Sequence, residues 1–242
     1  MKSLIGIMIS LFTGVLVAQT PVNKSYPVSA GQKVTFHFDY PELVKISTWD
    51  KNEISISGVV SINGGENDDA FELTHSVSGN IIGIENRIKG MKDLPQRVTI
   101  TRGSEKITFK SKEDYKKYRD EHGKDFNTTN FGVDMEIVLE IKVPKGMETK
   151  MESVYGMVEV KNFQGPLSVD ATYGGVDVSV QEKTTGELIA ETGYGQIYSN
   201  LEQKFTGSEL EDFHTVVSVK PGIGPKYTIE SKYGNVYLRK SL

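Results

Sequence analysis

The sequence predicts an all-β fold: a single-stranded β-solenoid, a β-helix-like stack of repeats about 20 residues long, preceded by a β-sheet lobe with one short inserted helix. Three observations predict it. Tyr-Gly recurs in one context, with its tyrosines at Tyr155, Tyr173, Tyr194 and Tyr233. Around each copy apolar residues alternate with period two, the spacing of a strand with one buried face. Finally, 24 glycines stand against 8 prolines in a chain rich in Val, Ile, Thr and Tyr, a balance suited to many strands and turns.

The 242 residues are 37% apolar and 25% charged, a globular composition with ample length for a core. Net charge is -4 and no basic block exceeds two residues, which argues against nucleic acid or an anionic membrane surface as the main partner. There is no cysteine. Disulfides, thiolate zinc sites, cysteine nucleophiles and lipid anchoring on an N-terminal cysteine are thereby excluded.

Residues 1–18 carry one basic residue, Lys2, run apolar from Leu4 to Val17 and end in the small residue Ala18. That run spans about 21 Å as a helix, short of the ~30 Å hydrocarbon core, so it reads as a secretory signal cut between Ala18 and Gln19. An uncleaved N-terminal anchor is the alternative. No later apolar stretch reaches spanning length. The expectation is an exported chain, periplasmic or at the cell surface, with no lipid anchor.

In residues 19–145 the alternation marks strands through Val34, Phe36 and Phe38, through Val44, Ile46 and Thr48, and through Ile54 and Ile56. Phe71 and Leu73 open another, and Ile82 and Ile84 follow Ser78-Gly79-Asn80. Arg97–Lys110 reads as a hairpin about Arg102-Gly103-Ser104, and Gly132–Pro144 as the longest strand pattern. Between them Ser111-Lys112-Glu113-Asp114 carries a helix-capping signature and Gly123 a stop, which predicts a short helix near 112–121. Tyr115 and Tyr118, three apart, share its one apolar face. No Pro-, Ser- or Gly-rich linker separates this lobe from the repeats at 146–242.

The repeats have five copies when ELEDFHTVVSV is included, with His214 and Thr215 in the places of Tyr and Gly. The mean period is about 19.5 residues. Four before the tyrosine stand Met151, Val169, Ala190, Leu210 and Ile229; three after it stand Val158, Val176, Ile197, Val217 and Val236. Parity switches across Tyr-Gly, so each copy reads as strand, glycine corner, strand. Such a repeat cannot bury its face alone, and stacking copies about 4.8 Å apart buries it. A meander of antiparallel hairpins predicts the same alternation and is the competing arrangement. The corner residues Tyr155, Gly156, Tyr173, Gly174, Tyr194, Gly195, Tyr233 and Gly234 are therefore structural, with the tyrosines read as an inward aromatic ladder, His214 as one rung of it, and a sugar-binding platform as the alternative.

Val143–Gly146 (VPKG) followed by strands of the form x-Φ-x-x-x-Y-G-x-V-x-V resembles the exported β-strand-repeat family named "putative adhesins", with toastrack-type domains. The resemblance covers Glu136–Leu242, and more loosely Lys45–Gly58. It implies the repeat fold and an exported protein, and it implies no activity.

One column is acidic in all five copies: Glu152, Asp170, Glu191, Glu211 and Glu230. Stacked in register, these carboxylates would line up on the outer face and raise one another's pKa. A cation would relieve that, and Ca2+ is the ion such oxygen-only ligands would take. The alternative is a solvated file neutralised by neighbours such as Lys150 and Lys232. Asn63–Asp69, also acidic, lacks the spacing of a calcium-hand loop and reads as a turn. His37, His75 and His122 show neither metal spacing nor a catalytic triad, and phosphate loops and nucleophile elbows are missing.

The function these readings favour is non-catalytic: a binding or adhesion module at the cell envelope with a protein or glycan partner. The alternative is a periplasmic structural or signalling component that binds another envelope protein. More remote is a calcium-dependent enzyme of the β-helix polysaccharide lyase kind, for which the repeats offer no recurring basic residue. Because the chain stops just after its last repeat strand, an open edge there is expected to allow self-association.

Overall fold

The computed structural model of the chain describes residues 19–210 and 213–241. The predicted signal, residues 1–18, and the predicted file member Glu211 lie outside the described residues.

The N-terminal half supplies β1 (Thr20–Pro27), β2 (Lys33–Phe38), β3 (Leu43–Trp49), β4 (Glu53–Ile62), β5 (Phe71–Ser78) and β6 (Ile81–Ile88). After these come β7 (Arg97–Arg102), β8 (Glu105–Phe109), the helix α1 (Lys112–His122), β9 (Thr128–Gly132) and β10 (Met135–Pro144). The repeats follow as pairs: β11 (Thr149–Ser153) with β12 (Met157–Val160), and β13 (Leu167–Ala171) with β14 (Val176–Val180). Next come β15 (Glu187–Thr192) with β16 (Ile197–Ser199), β17 (Thr206–Leu210) with β18 (His214–Val219), and β19 (Lys226–Ser231) with β20 (Val236–Lys240).

These strands build two large mixed sheets rather than a single-stranded solenoid, which corrects the expected architecture. One has eight strands in the order β1-β4-β10-β3-β12-β14-β20-β16, the other nine in the order β17-β18-β15-β19-β13-β11-β2-β6-β5. A third sheet, β8-β7-β9, stands apart and carries α1, whose Tyr115 and Tyr118 pack on Phe109 at 5.8 and 5.1 Å. Ser111 caps the helix by accepting from the Asp114 N–H, and Gly123 ends it at φ 83°.

The two large sheets share one core. Most predicted inward positions are buried, Met151, Val169, Ala190 and Ile229 on one sheet and Val158, Val176, Val236, Val160, Val178 and Leu238 on the other, whereas Ile197 and Val217 are only partly buried. Each buried one removes roughly 1.5–3 kcal/mol worth of apolar side chain from water, less for alanine.

Rungs do not stack in chain order. The last pair, β19 and β20, inserts between the second and third, so the sequence of rungs is first, second, fifth, third. The fourth copy never crosses to the other sheet; β17 and β18 form an antiparallel hairpin beside β15. Two further corrections follow. The C-terminal strand β20 is interior, paired with β14 on one side and β16 on the other, so no open edge lies at the chain's end. At the other end of the repeats β2 and β3 form an additional rung, with Phe36 opposite Met151 and Val44 opposite Val158. The lobe thus continues the stack.

Candidate functional site

The corner where each rung passes between sheets explains the Tyr-Gly pair. A Cβ on Gly156 would stand 1.8 Å from the Pro41 carbonyl oxygen, on Gly174 2.0 Å from that of Gly156, and on Gly195 2.0 Å from that of Gly234. No such approach is tolerated, so the corner needs glycine because the neighbouring rung's backbone occupies the space of a side chain. None of these glycines has positive φ.

A buried hydroxyl two before the tyrosine pins the corner. The Gly234 N–H donates to Ser231 Oγ at 2.9 Å, and that hydroxyl donates to the Gly174 carbonyl at 2.8 Å. Thr192 repeats this between Gly195 and Gly234, both at 3.0 Å, and the Ser153 hydroxyl donates to the Gly156 carbonyl at 3.1 Å.

With glycine on the inside of the bend, the tyrosine is forced outside. Tyr155, Tyr173, Tyr233 and Tyr194 are 61%, 55%, 44% and 64% exposed, which corrects the inward placement expected for this column. The ladder itself exists. Ring centroids are 5.3, 5.1 and 5.1 Å apart along the rung order, with interplanar angles of 8–10°. Phe213, at φ 73° and 78% exposed, adds a fifth ring at 6.4 Å from Tyr194. His214 is therefore not the ladder's rung; its Nε2 lies 2.6 Å from Glu191 Oε1. Because the rings stack face to face, what they turn to solvent is edges and hydroxyls. Among the described residues none of the four hydroxyls has a hydrogen-bond partner. A shorter second ladder, Tyr198 on Tyr237 at 5.2 Å, lies on the outside of the eight-stranded sheet.

Three residues before the ladder runs the acidic file. The register brings Glu152 opposite Asp170, Asp170 opposite Glu230 and Glu230 opposite Glu191, as predicted for stacked copies. Histidines close both ends. His37, which occupies this column in the β2 rung, places Nδ1 2.9 Å from Glu152 Oε2 and Nε2 3.2 Å from Asp39; His214 holds Glu191 at the far end. Lys150 also pairs with Glu152, at 2.5 Å. The Glu152 carboxyl is held below its ordinary range, chiefly by Lys150 and then by His37, and His37 is raised chiefly by its hydrogen bond to Glu152.

The middle of the file differs. Among the described residues Asp170 and Glu230 have no ion-pair partner, and the Glu230 carboxyl is pushed up by burial and by the charges of Asp170 and Glu191. His214 and Lys232 offset part of that shift. Metal geometry is another matter: among the described residues no group of three or more His, Asp or Glu is arranged to hold an ion. The histidine ends were missed by sequence reasoning. Aligning Phe36-His37-Phe38 with Met151-Glu152-Ser153 would have found His37.

The other acidic segment is structural. Asp68 Oδ1 accepts from the Ile62 N–H at 2.6 Å, and Glu66 pairs with Arg97 at 2.6 Å and Lys110 at 2.5 Å. His75 stacks on Tyr26 at 4.7 Å and His122 on Tyr118 at 4.2 Å, so neither faces a reactive partner.

No protein-family model matches the chain, and no curated protein is significantly similar to it. Among solved structures, a "putative cell adhesion protein" of Clostridium sporogenes is similar at 12% identity and a TM-score of 0.45, covering 93% of this chain and 100% of its own. A "putative adhesin" of Bacteroides fragilis aligns at 10% identity and a TM-score of 0.22 over 94% of this chain and 100% of its own. A "putative lipid binding protein" of Parabacteroides distasonis aligns at 11% and 0.22 over 92% and 97%. Likenesses this distant carry no conclusion about what this chain binds.

Proposed function

We propose that this chain is an exported, non-catalytic binding module of the cell envelope, and that the tyrosine ladder is its contact surface. The observation that carries the reading is five consecutive exposed aromatic rings on one corner. Single exposed apolar residues are ordinary, but a contiguous aromatic strip marks a place of interaction, and tyrosine is enriched where proteins meet partners. Stacking has already fixed the rings, so a partner meets a rigid surface and little side-chain freedom is lost on binding. Export is supported by the charged start and short apolar run of residues 1–18.

Retention of the bead-bound full chain on bacterial envelope fragments, compared with a Tyr173→Ala/Tyr233→Ala variant, tests this. The double variant is expected to lose at least about tenfold in retention, the scale of one to two aromatic anchors. Equal retention overturns the reading. Protease treatment of intact against lysed cells then locates the protein: digestion on intact cells means the surface, and protection until lysis means the periplasm.

A further inference from the structure

The exposed ladder and the unpaired middle of the acidic file lie side by side, and together they define the occupant. Resting on the binding role just described, we propose that the ladder docks a basic α-helix of a partner protein, laid along the corner and across the rungs.

Spacing selects a helix. The four tyrosine rings follow one another at 5.3, 5.1 and 5.1 Å. An α-helix presents one residue per turn about every 5.4 Å, so over three steps it drifts from the rings by less than about 1 Å. An extended strand presents alternate side chains about every 6.7 Å and drifts by roughly 4–5 Å over the same distance. A helix keeps register with every rung.

The acidic column precedes the tyrosines by three residues, the last of them in the bend of each corner. A helix seated on Val154, Thr172, Lys232 and Gly193 between the two columns would touch both. Lys232, the cation of this strip, is turned onto the Tyr233 ring at 5.5 Å.

Charge selects the sign. Glu152 is occupied by Lys150 and His37, and Glu191 by His214, which leaves Asp170 and Glu230 adjacent and without an ion pair, offset only through space by Lys150, Lys232 and His214. A Lys or Arg one turn apart on the partner would face each, removing their repulsion on binding. Ring geometry argues against the glycan alternative: a sugar stacks on an open ring face, and the inner faces of this ladder are closed by their neighbours.

The probe is an 18-residue fluorescent helical peptide with lysines at i, i+4, i+7 and i+11 and leucines on the adjoining stripe, titrated into the full chain by anisotropy. Three comparators are a peptide of the same composition with period-two lysines, one with glutamate for lysine, and an N-acetylglucosamine hexamer. Expected is binding of the helical lysine peptide alone, weakened at least tenfold by Asp170→Asn/Glu230→Gln and by Tyr173→Ala/Tyr233→Ala, and weakened by salt. The altered side chains are solvent-exposed or half-buried, and a melting temperature of the acid variant no lower than wild type keeps a folding failure out of the result. Equal binding by the acid variant, equal binding of the period-two peptide, no binding of any peptide, or binding of the hexasaccharide alone overturns the proposal. If ladder variants lose envelope retention while the acid variant keeps it, the helix partner is wrong and the contact surface stands.

Discussion

The second and fourth repeats began from one pattern and folded differently. The second, around Tyr173-Gly174, leaves the nine-stranded sheet, turns, and continues in the eight-stranded one. The fourth, around Phe213-His214-Thr215, stays in the nine-stranded sheet as a hairpin. The difference lies at the corner. Gly174 gives its side-chain space to the Gly156 carbonyl, whereas Thr215 has a side chain that could not be placed there. Without a glycine the chain does not pass against the rung below, and β16 is left as the edge of the eight-stranded sheet. Whether a copy crosses between the sheets is thus decided at its corner, by the space of one side chain.

Putting a methyl group on the second corner should make it behave like the fourth. Gly174→Ala is expected to cost on the order of 3 kcal/mol or more, since both atoms in conflict belong to backbone that cannot turn aside. Urea melts with a midpoint close to wild type would break the comparison. A smaller loss is expected from Ser231→Ala, which strands the Gly234 N–H and the Gly174 carbonyl: about 1–3 kcal/mol. The second rung carries Ala171 at this position, so Ala171→Ser is expected to be tolerated with a midpoint within error of wild type.

On the outside of the same corner the expected effects shrink. Tyr173→Ala should cost roughly 0.5–1.5 kcal/mol from two lost ring contacts, while its effect on envelope retention is the larger. Loss of stability with full retention would reduce the ladder to scaffolding.

The file gives the smallest effects, and they have signs. Glu230 has a raised carboxyl, so its ionised form is a burden on the folded state above that raised value. Glu230→Gln is expected to melt about 1–2 °C higher near pH 7, with the difference closing as pH falls toward 4.5. A constant or negative difference would contradict the repulsion. His37 has the opposite sense. Its raised pKa makes the pair with Glu152 stabilising below the ordinary 6.5, and that contribution is lost as pH rises through the folded value. Glu152, held low, keeps its share above 4.5 and loses it as pH falls through its folded value. The stability gap between wild type and His37→Ala should therefore be widest at pH 4.5–6.5 and narrow on either side.

Much of this was legible because strand alternation repeats. The buried columns, the capped helix, the Arg97–Lys110 hairpin and the in-register acidic file follow from residue type and spacing alone. Tyrosine was misplaced because parity counting assigns it to the inner face, and only the close approach at glycine shows that the bend turns it out. His37 was overlooked because its rung has Pro41 where the others have glycine and one additional residue before Val44, which hides the alignment.

By itself the sequence determined the all-β class, the period, the inward columns and the line of carboxylates, because those depend on local alternation and on identical copies adopting identical backbone. Tertiary structure alone decided that the copies close into two mixed sheets, that the fifth fills the gap between second and third, and that the tyrosines face solvent. Those outcomes depend on which backbone oxygen sits beside which glycine, a contact between residues as far apart as Gly195 and Gly234 that no local pattern records.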